Sequence, residues 1–100
     1  MEVTSPTIGN GQISGQITVA TAGTAVQGPD IDLPNGVWIK ALAGNAGLGY
    51  FGNNGAGDVD ATNGYELSAG QTAPPICVSN LKDLWFDVAT NGDKFCWVKA

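Results

Sequence analysis

LWFDVATNGDKFCWVK (residues 84–99) is a pair of alternating apolar runs joined by Asn91-Gly92. An Asn-Gly pair adopts the positive φ angles of a two-residue turn, and period-two alternation on both sides completes the signal for a tight β-hairpin. With Thr90 opposite Asp93, the expected partners are Ala89 with Lys94, Val88 with Phe95, Asp87 with Cys96, Phe86 with Trp97, Trp85 with Val98 and Leu84 with Lys99. Successive side chains point to opposite sides of a strand. One face then collects Leu84, Phe86, Val88, Phe95 and Trp97 and is expected in the core. The other carries Trp85, Asp87, Lys94, Cys96 and Val98, a mixture of charge and aromatic surface that suits a partly wet face or a contact with another chain.

Working outward from this segment, short apolar runs recur between turn signals. QITVATAGTAVQ (residues 16–27) reads as two short strands broken at Ala22-Gly23, with Ile17 and Val19 on one face. Pro34-Asn35-Gly36 marks a turn before VWIKAL (37–42). There Val37, Ile39 and Ala41 share one face and Trp38, Lys40 and Leu42 the other, so a central or interface strand is expected. Residues 48–52 form an aromatic strand with Tyr50 and Phe51 on opposite sides. Residues 52–64 form the most polar loop, 65–67 another strand, 68–75 a connection ending in Pro74-Pro75, and 76–78 a last short strand before the hairpin. Fifteen glycines and five prolines leave no run with a clean helical period. The expected fold is all-β: a single-domain β-sandwich or jelly-roll-like barrel of about eight short, mostly antiparallel strands, spanning 16–100 behind a flexible N-terminal arm at 1–15. An arm so poor in large apolar groups orders only against a partner that supplies them.

Nine acids stand against four lysines, with no arginine and no histidine, for a net charge of −5. Phosphate backbones are held mainly by Lys and Arg, so nucleic acid is not an expected partner. The absence of histidine removes the usual general base near neutral pH, the Ser-His and Cys-His nucleophile pairs and the commonest zinc ligand. No apolar run reaches the roughly 20 residues needed to cross a bilayer and no tripartite signal opens the chain, so no membrane partner or cleaved leader is expected. Cys77 and Cys96 fall within apolar strand patterns and are expected as reduced, buried thiols, with a disulfide open only if their strands are neighbours.

Three constellations could carry chemistry. Asp58, Asp60, Asn63 and Glu66 offer oxygen ligands on a glycine-rich loop, but Thr62 occupies the third position of an EF-hand-like spacing and Asn63-Gly64 arrives one residue late, so no metal is assigned. Asp30 and Asp32 place two carboxylates on one side of an extended chain about 6.6 Å apart. That pair could in principle serve glycoside hydrolysis, but a domain this small rarely encloses a cleft as well as a core. Trp38, Trp85 and Trp97 with Tyr50, Phe51 and Tyr65 could build a sugar-stacking platform. With Trp97 assigned to the core, Trp38 and Trp85 remain beside Lys40, Asp87 and Lys94, which fits a subunit contact at least as well.

Taken together, TVATAGTAVQ (18–27), GVWIKALAGNAG (36–47), YFGNNG (50–55), GYELSAGQ (64–71) and VSNLKDLWFDVATNGDKF (78–95) resemble small structural proteins of tailed bacteriophages. The likeness lies in a succession of strands and turns over about four-fifths of the chain and includes no catalytic signature. It implies a non-enzymatic virion component made in the bacterial cytoplasm, without cofactor. The role expected is a capsid decoration or cement protein that sits on the head exterior as a homotrimer bound to the major capsid protein. A fibre-like or lectin-like glycan-binding module of the head or tail is the alternative. Trp38, Lys40, Tyr50 and Trp85, with the N-terminal arm, are the expected subunit or capsid contacts.

Overall fold

The computed structural model describes residues 12–53 and 58–100. Most of the expected N-terminal arm, residues 1–11, lies outside the described residues, as do residues 54–57 of the polar loop. Among the described residues seven strands form: β1 (Ser14–Thr18), β2 (Val26–Gln27), β3 (Val37–Ala41), β4 (Gly49–Gly52), β5 (Tyr65–Leu67), β6 (Trp85–Val88) and β7 (Lys94–Lys99). They make two sheets, ordered β1-β7-β3 and β2-β6-β4-β5, with every strand pairing antiparallel. The all-β, sandwich-like expectation therefore holds, while the sheets stay separate and do not close into a barrel. The only helical turn among the described residues is a 3₁₀ segment at Leu81–Asp83, capped by Asn80, whose side-chain oxygen accepts from the Lys82 amide. Strand β1 begins at Ser14, inside the segment expected as an arm, and Ser14 and Gly15 pair with Val98 and Trp97.

The expected hairpin is absent. β6 and β7 do not pair; they are inner strands of different sheets and face each other across the core. Val88 is opposite Gly49 and Phe86 opposite Phe51, whereas Phe95 is opposite Ile17 and Ala41, and Trp97 opposite Gly15 and Ile39. The rings of Phe86 and Phe95 meet from the two sheets at 5.1 Å between centroids. The physical reason lies in the connection, whose polar groups are taken by other elements. The Gly92 amide donates to the Val19 carbonyl (2.9 Å), the Val19 amide to the Asp93 carbonyl (3.1 Å), and the Ala89 amide to the Leu48 carbonyl (2.9 Å). Asn91 Oδ1 accepts from the Ala22 amide at 2.7 Å. Gly92 does adopt the expected positive φ, at 84°, but the turn serves an arch between sheets.

The buried set survives this change of pairing. Ile17, Val19, Val37, Ile39, Ala41, Phe51, Leu67, Leu84, Phe86, Val88, Phe95 and Trp97 all belong to one core cluster. Close packing explains Gly49, where a Cβ atom would lie 2.6 Å from Cζ of Phe95. Strand β3 follows its expected alternation, buried at Val37, Ile39 and Ala41 and exposed at Trp38 and Lys40. It is an outer strand in sheet order, with its free edge held by the 70–76 connection: Val37 and Ile76 exchange backbone hydrogen bonds of 2.9 and 2.8 Å. The expected strand at 76–78 reduces to that single bridge. Both thiols are free, but Cys77 is exposed and Cys96 half-buried, which corrects the expectation that both are buried.

Candidate functional site

The two sheets differ in what covers their outer faces. On β4 and β6 the core takes Phe51, Phe86 and Val88, so Tyr50, Trp85 and Asp87 point away from it. That side is roofed by loops. Tyr50 is only 6 % exposed, because Gly64 sits against it so closely that a Cβ there would lie 2.7 Å from the Tyr50 Cβ, with buried Val59 alongside. Asp87 is 2 % exposed and its Oδ1 accepts from the amides of Gly23 (2.9 Å) and Val88 (2.8 Å), tying the Ala22-Gly23 turn over the strand.

The outer face of β1-β7-β3 carries no such roof among the described residues. Its registry places Trp38, Val98 and Ser14 in one row across the sheet and Lys40, Cys96 and Gln16 in the next. Trp38 and Val98 are each 42 % exposed, and with Lys40, Thr72, Cys96 and Gln16 they line an open groove of about 680 Å³. This is a contiguous apolar surface with a polar rim, the composition of a contact face.

Of the four expected contacts, Trp38 and Lys40 are thus brought together in this groove. Trp85 is half-buried on the outside of the opposite sheet and Tyr50 is buried, so neither joins them. Placing Trp85 beside Val98 required β6 and β7 to share a sheet, and they do not. Ser14, Gln16 and Thr72 were missed. For the first two the available signal was the alternation of Ser14, Gln16 and Thr18 with Gly15, Ile17 and Val19, which extends the strand into the supposed arm.

The acidic constellations resolve into local structure. Asn80 Nδ2 donates to Asp30 Oδ1 (2.8 Å) and to Asp32 Oδ1 (3.2 Å), so the two carboxylates do share one side of the chain, where they hold the cap of the 3₁₀ turn. Asp60 accepts from Thr62 through both the hydroxyl (2.7 Å) and the amide (2.8 Å), and the Asn63 side chain bonds both the Asp60 amide and the Asp58 carbonyl. No three His, Cys, Asp or Glu side chains among the described residues gather as a metal site. The Thr62 hydroxyl, followed by its amide, holds the Asp60 carboxyl below its ordinary value. A group depressed in the folded state adds stability above its unfolded pKa, and loses that contribution as pH falls through the folded one. Thr62→Ala should therefore raise the Asp60 titration midpoint toward the ordinary carboxylate range, read by carboxyl NMR; an unmoved midpoint would remove the hydroxyl as its cause.

Among the described residues no helix is long and apolar enough to cross a membrane. Comparison of the chain with protein-family models, with characterised proteins and with solved structures finds no match.

Proposed function

We propose that this chain is a non-enzymatic virion structural protein that decorates and stabilises the exterior of a tailed-phage capsid as a homotrimer, bound to the major capsid protein. The observation that carries the reading is the outer face of β1-β7-β3, unroofed among the described residues, with Trp38 and Val98 exposed in an open groove. A decoration protein binds by shape and apolar contact and needs no enclosed pocket; aromatic anchors dominate such contacts. The acidic composition supports it too, since it keeps the chain soluble and gives no hold on packaged nucleic acid. Small domains gain stability from association, which favours assembly in multiple copies on a shell.

The test is binding of purified protein to expanded heads built from the major capsid protein of the same phage, with head resistance to heat and chelation as the second readout. Native protein should bind and protect. Trp38→Ala should weaken binding by about 2 kcal/mol, roughly 30-fold, without unfolding the chain. Absence of both binding and protection would end the cement role. One observation favours a glycan-binding module of the head or tail instead: the Trp38 indole shares its groove with the polar side chains of Gln16, Lys40 and Thr72. Glycan-array binding that disappears in Trp38→Ala, with no head binding, would establish that reading.

A further inference from the structure

Among the described residues, the sheet edges are covered or short except at β1. The outer edge of β3 is taken by the 70–76 connection, where Ala73 donates to the Ile39 carbonyl (2.8 Å) and Ala41 to the Gln71 carbonyl (3.0 Å), in addition to the Val37–Ile76 pair. The edges of the second sheet are short, two residues in β2 and three in β5. Strand β1 has five residues and pairs only with β7 among the described residues.

The direction of its backbone groups follows from its flanks. Lys99 donates to the Ile13 carbonyl (2.8 Å), Val19 donates to the Asp93 carbonyl (3.1 Å), and Gly92 donates to the Val19 carbonyl (2.9 Å). In an antiparallel ladder alternate residues bond the same neighbour. Gly15 and Ile17, with the Ile13 carbonyl, therefore bond β7 and Val19 bonds the turn before it, while Ser14, Gln16 and Thr18 turn their N–H and C=O groups outward. The Ser14 carbonyl shows this directly, since it is capped by the exposed side-chain amide of Gln12 at 3.0 Å. An edge strand is ordinarily protected by charge, proline or a bulge. SGQIT carries no charged residue and no proline.

We propose that β1 joins two copies of this chain as an antiparallel strand pair about a two-fold axis at Gln16. The outward groups require Ser14, Gln16 and Thr18 to bond one another, and a single such register engages all five residues. It sets Gln16 opposite Gln16 of the second copy and Ser14 opposite its Thr18. It also sets Gly15 opposite Ile17 of the second copy, a small residue against a branched one, on the core-facing side where the Trp97 ring closes over Gly15. The occupant is a second copy because the strand is complementary to itself in this register. In a chain of net charge −5 it is also a neutral line along which two copies can approach without bringing like charges together. The joint is made by backbone groups of the edge; it brings Gln16, at the rim of the Trp38 groove, to the axis but does not use Trp38 or Val98, so the dimer and the capsid contact can fail separately.

The test is site-specific crosslinking in the full chain with Cys77 and Cys96 replaced by serine. Under mild oxidation Gln16→Cys should give a covalent dimer, since paired backbones bring the two Cα atoms to about 5.5 Å, whereas Ser14→Cys, which faces Thr18, should not. Gln16→Pro removes an amide that bonds nothing on β7; it should keep the circular dichroism of the native chain and halve the mass seen by light scattering. Should that variant fail to fold, the crosslinking pair decides alone. Equal crosslinking at both positions, or an oligomer mass untouched in folded Gln16→Pro, would overturn the proposal. So would a monomer with slowly exchanging Gln16 and Thr18 amides, which would assign the edge to another part of the same chain.

Discussion

Phe86→Ala should lower the unfolding free energy by about 3–5 kcal/mol, the range for emptying a fully buried phenylalanine site. Its ring is completely buried between the sheets. It stacks on Phe51 at 6.1 Å and meets Phe95 at 5.1 Å, so truncation removes a contact to the neighbouring strand β4 and one to β7 of the facing sheet at once. The cavity has little means of collapse, because β6 is held on one side by β2 and on the other by β4. Domains of this size have about 5–15 kcal/mol in total. Urea unfolding followed by tryptophan fluorescence, with buried Trp97 as a reporter, measures the loss. A value below about 1 kcal/mol would mean that the two sheets do not meet at this ring.

Asp93→Ala should cost about 2–3 kcal/mol, although it sits beside a turn and removes no apolar contact. The carboxylate is buried, and its two oxygens accept from the amides of Ala46 (3.1 Å) and Gly47 (2.9 Å), which lie on the loop entering β4. Removing it leaves two part-buried donors without an acceptor. Asp93→Asn keeps one acceptor oxygen and should cost about half as much. The same denaturation experiment reads both variants, and equal stability of Asp93→Ala and the native protein would show that water replaces the carboxylate without penalty. A hairpin reading gives this residue only a turn position; in the arch it fastens one sheet to the loop that feeds the other.

What was legible in the sequence was the face each side chain occupies. Alternation sent Phe86, Val88, Phe95 and Trp97 inward and left Val98 and Trp38 outside, and all are so placed. What was not legible was the partner. In a hairpin the two apolar runs lie side by side on one sheet; in an arch they lie face to face across the core, and the same alternation satisfies both. Non-local hydrogen bonds decide between the two, such as Gly92 to Val19 and Ala22 to Asn91, and no local pattern encodes them. The candidate site divided for the same reason. Trp38 and Lys40 share a strand, so their common face was readable from residues 37–41 alone. Trp85 depends on which sheet β6 joins, and Tyr50 on a loop that folds back over its side of the strand.

The arch at Asn91-Gly92 has a bearing on how the chain folds. It connects an inner strand of one sheet to the inner strand of the other, and each of these draws its neighbours from distant parts of the sequence. The first sheet pairs no consecutive strands and the second only β4 with β5, while the contact of Phe86 on Phe95, close in sequence, already spans both layers. The contact between the layers is therefore available before most strands find their neighbours within a sheet. The entropy of closing the long loops falls due before the edge strands add stability, so folding is slow for the size of the chain. With their inner strands packed face to face, the two sheets are expected to unfold in one cooperative transition.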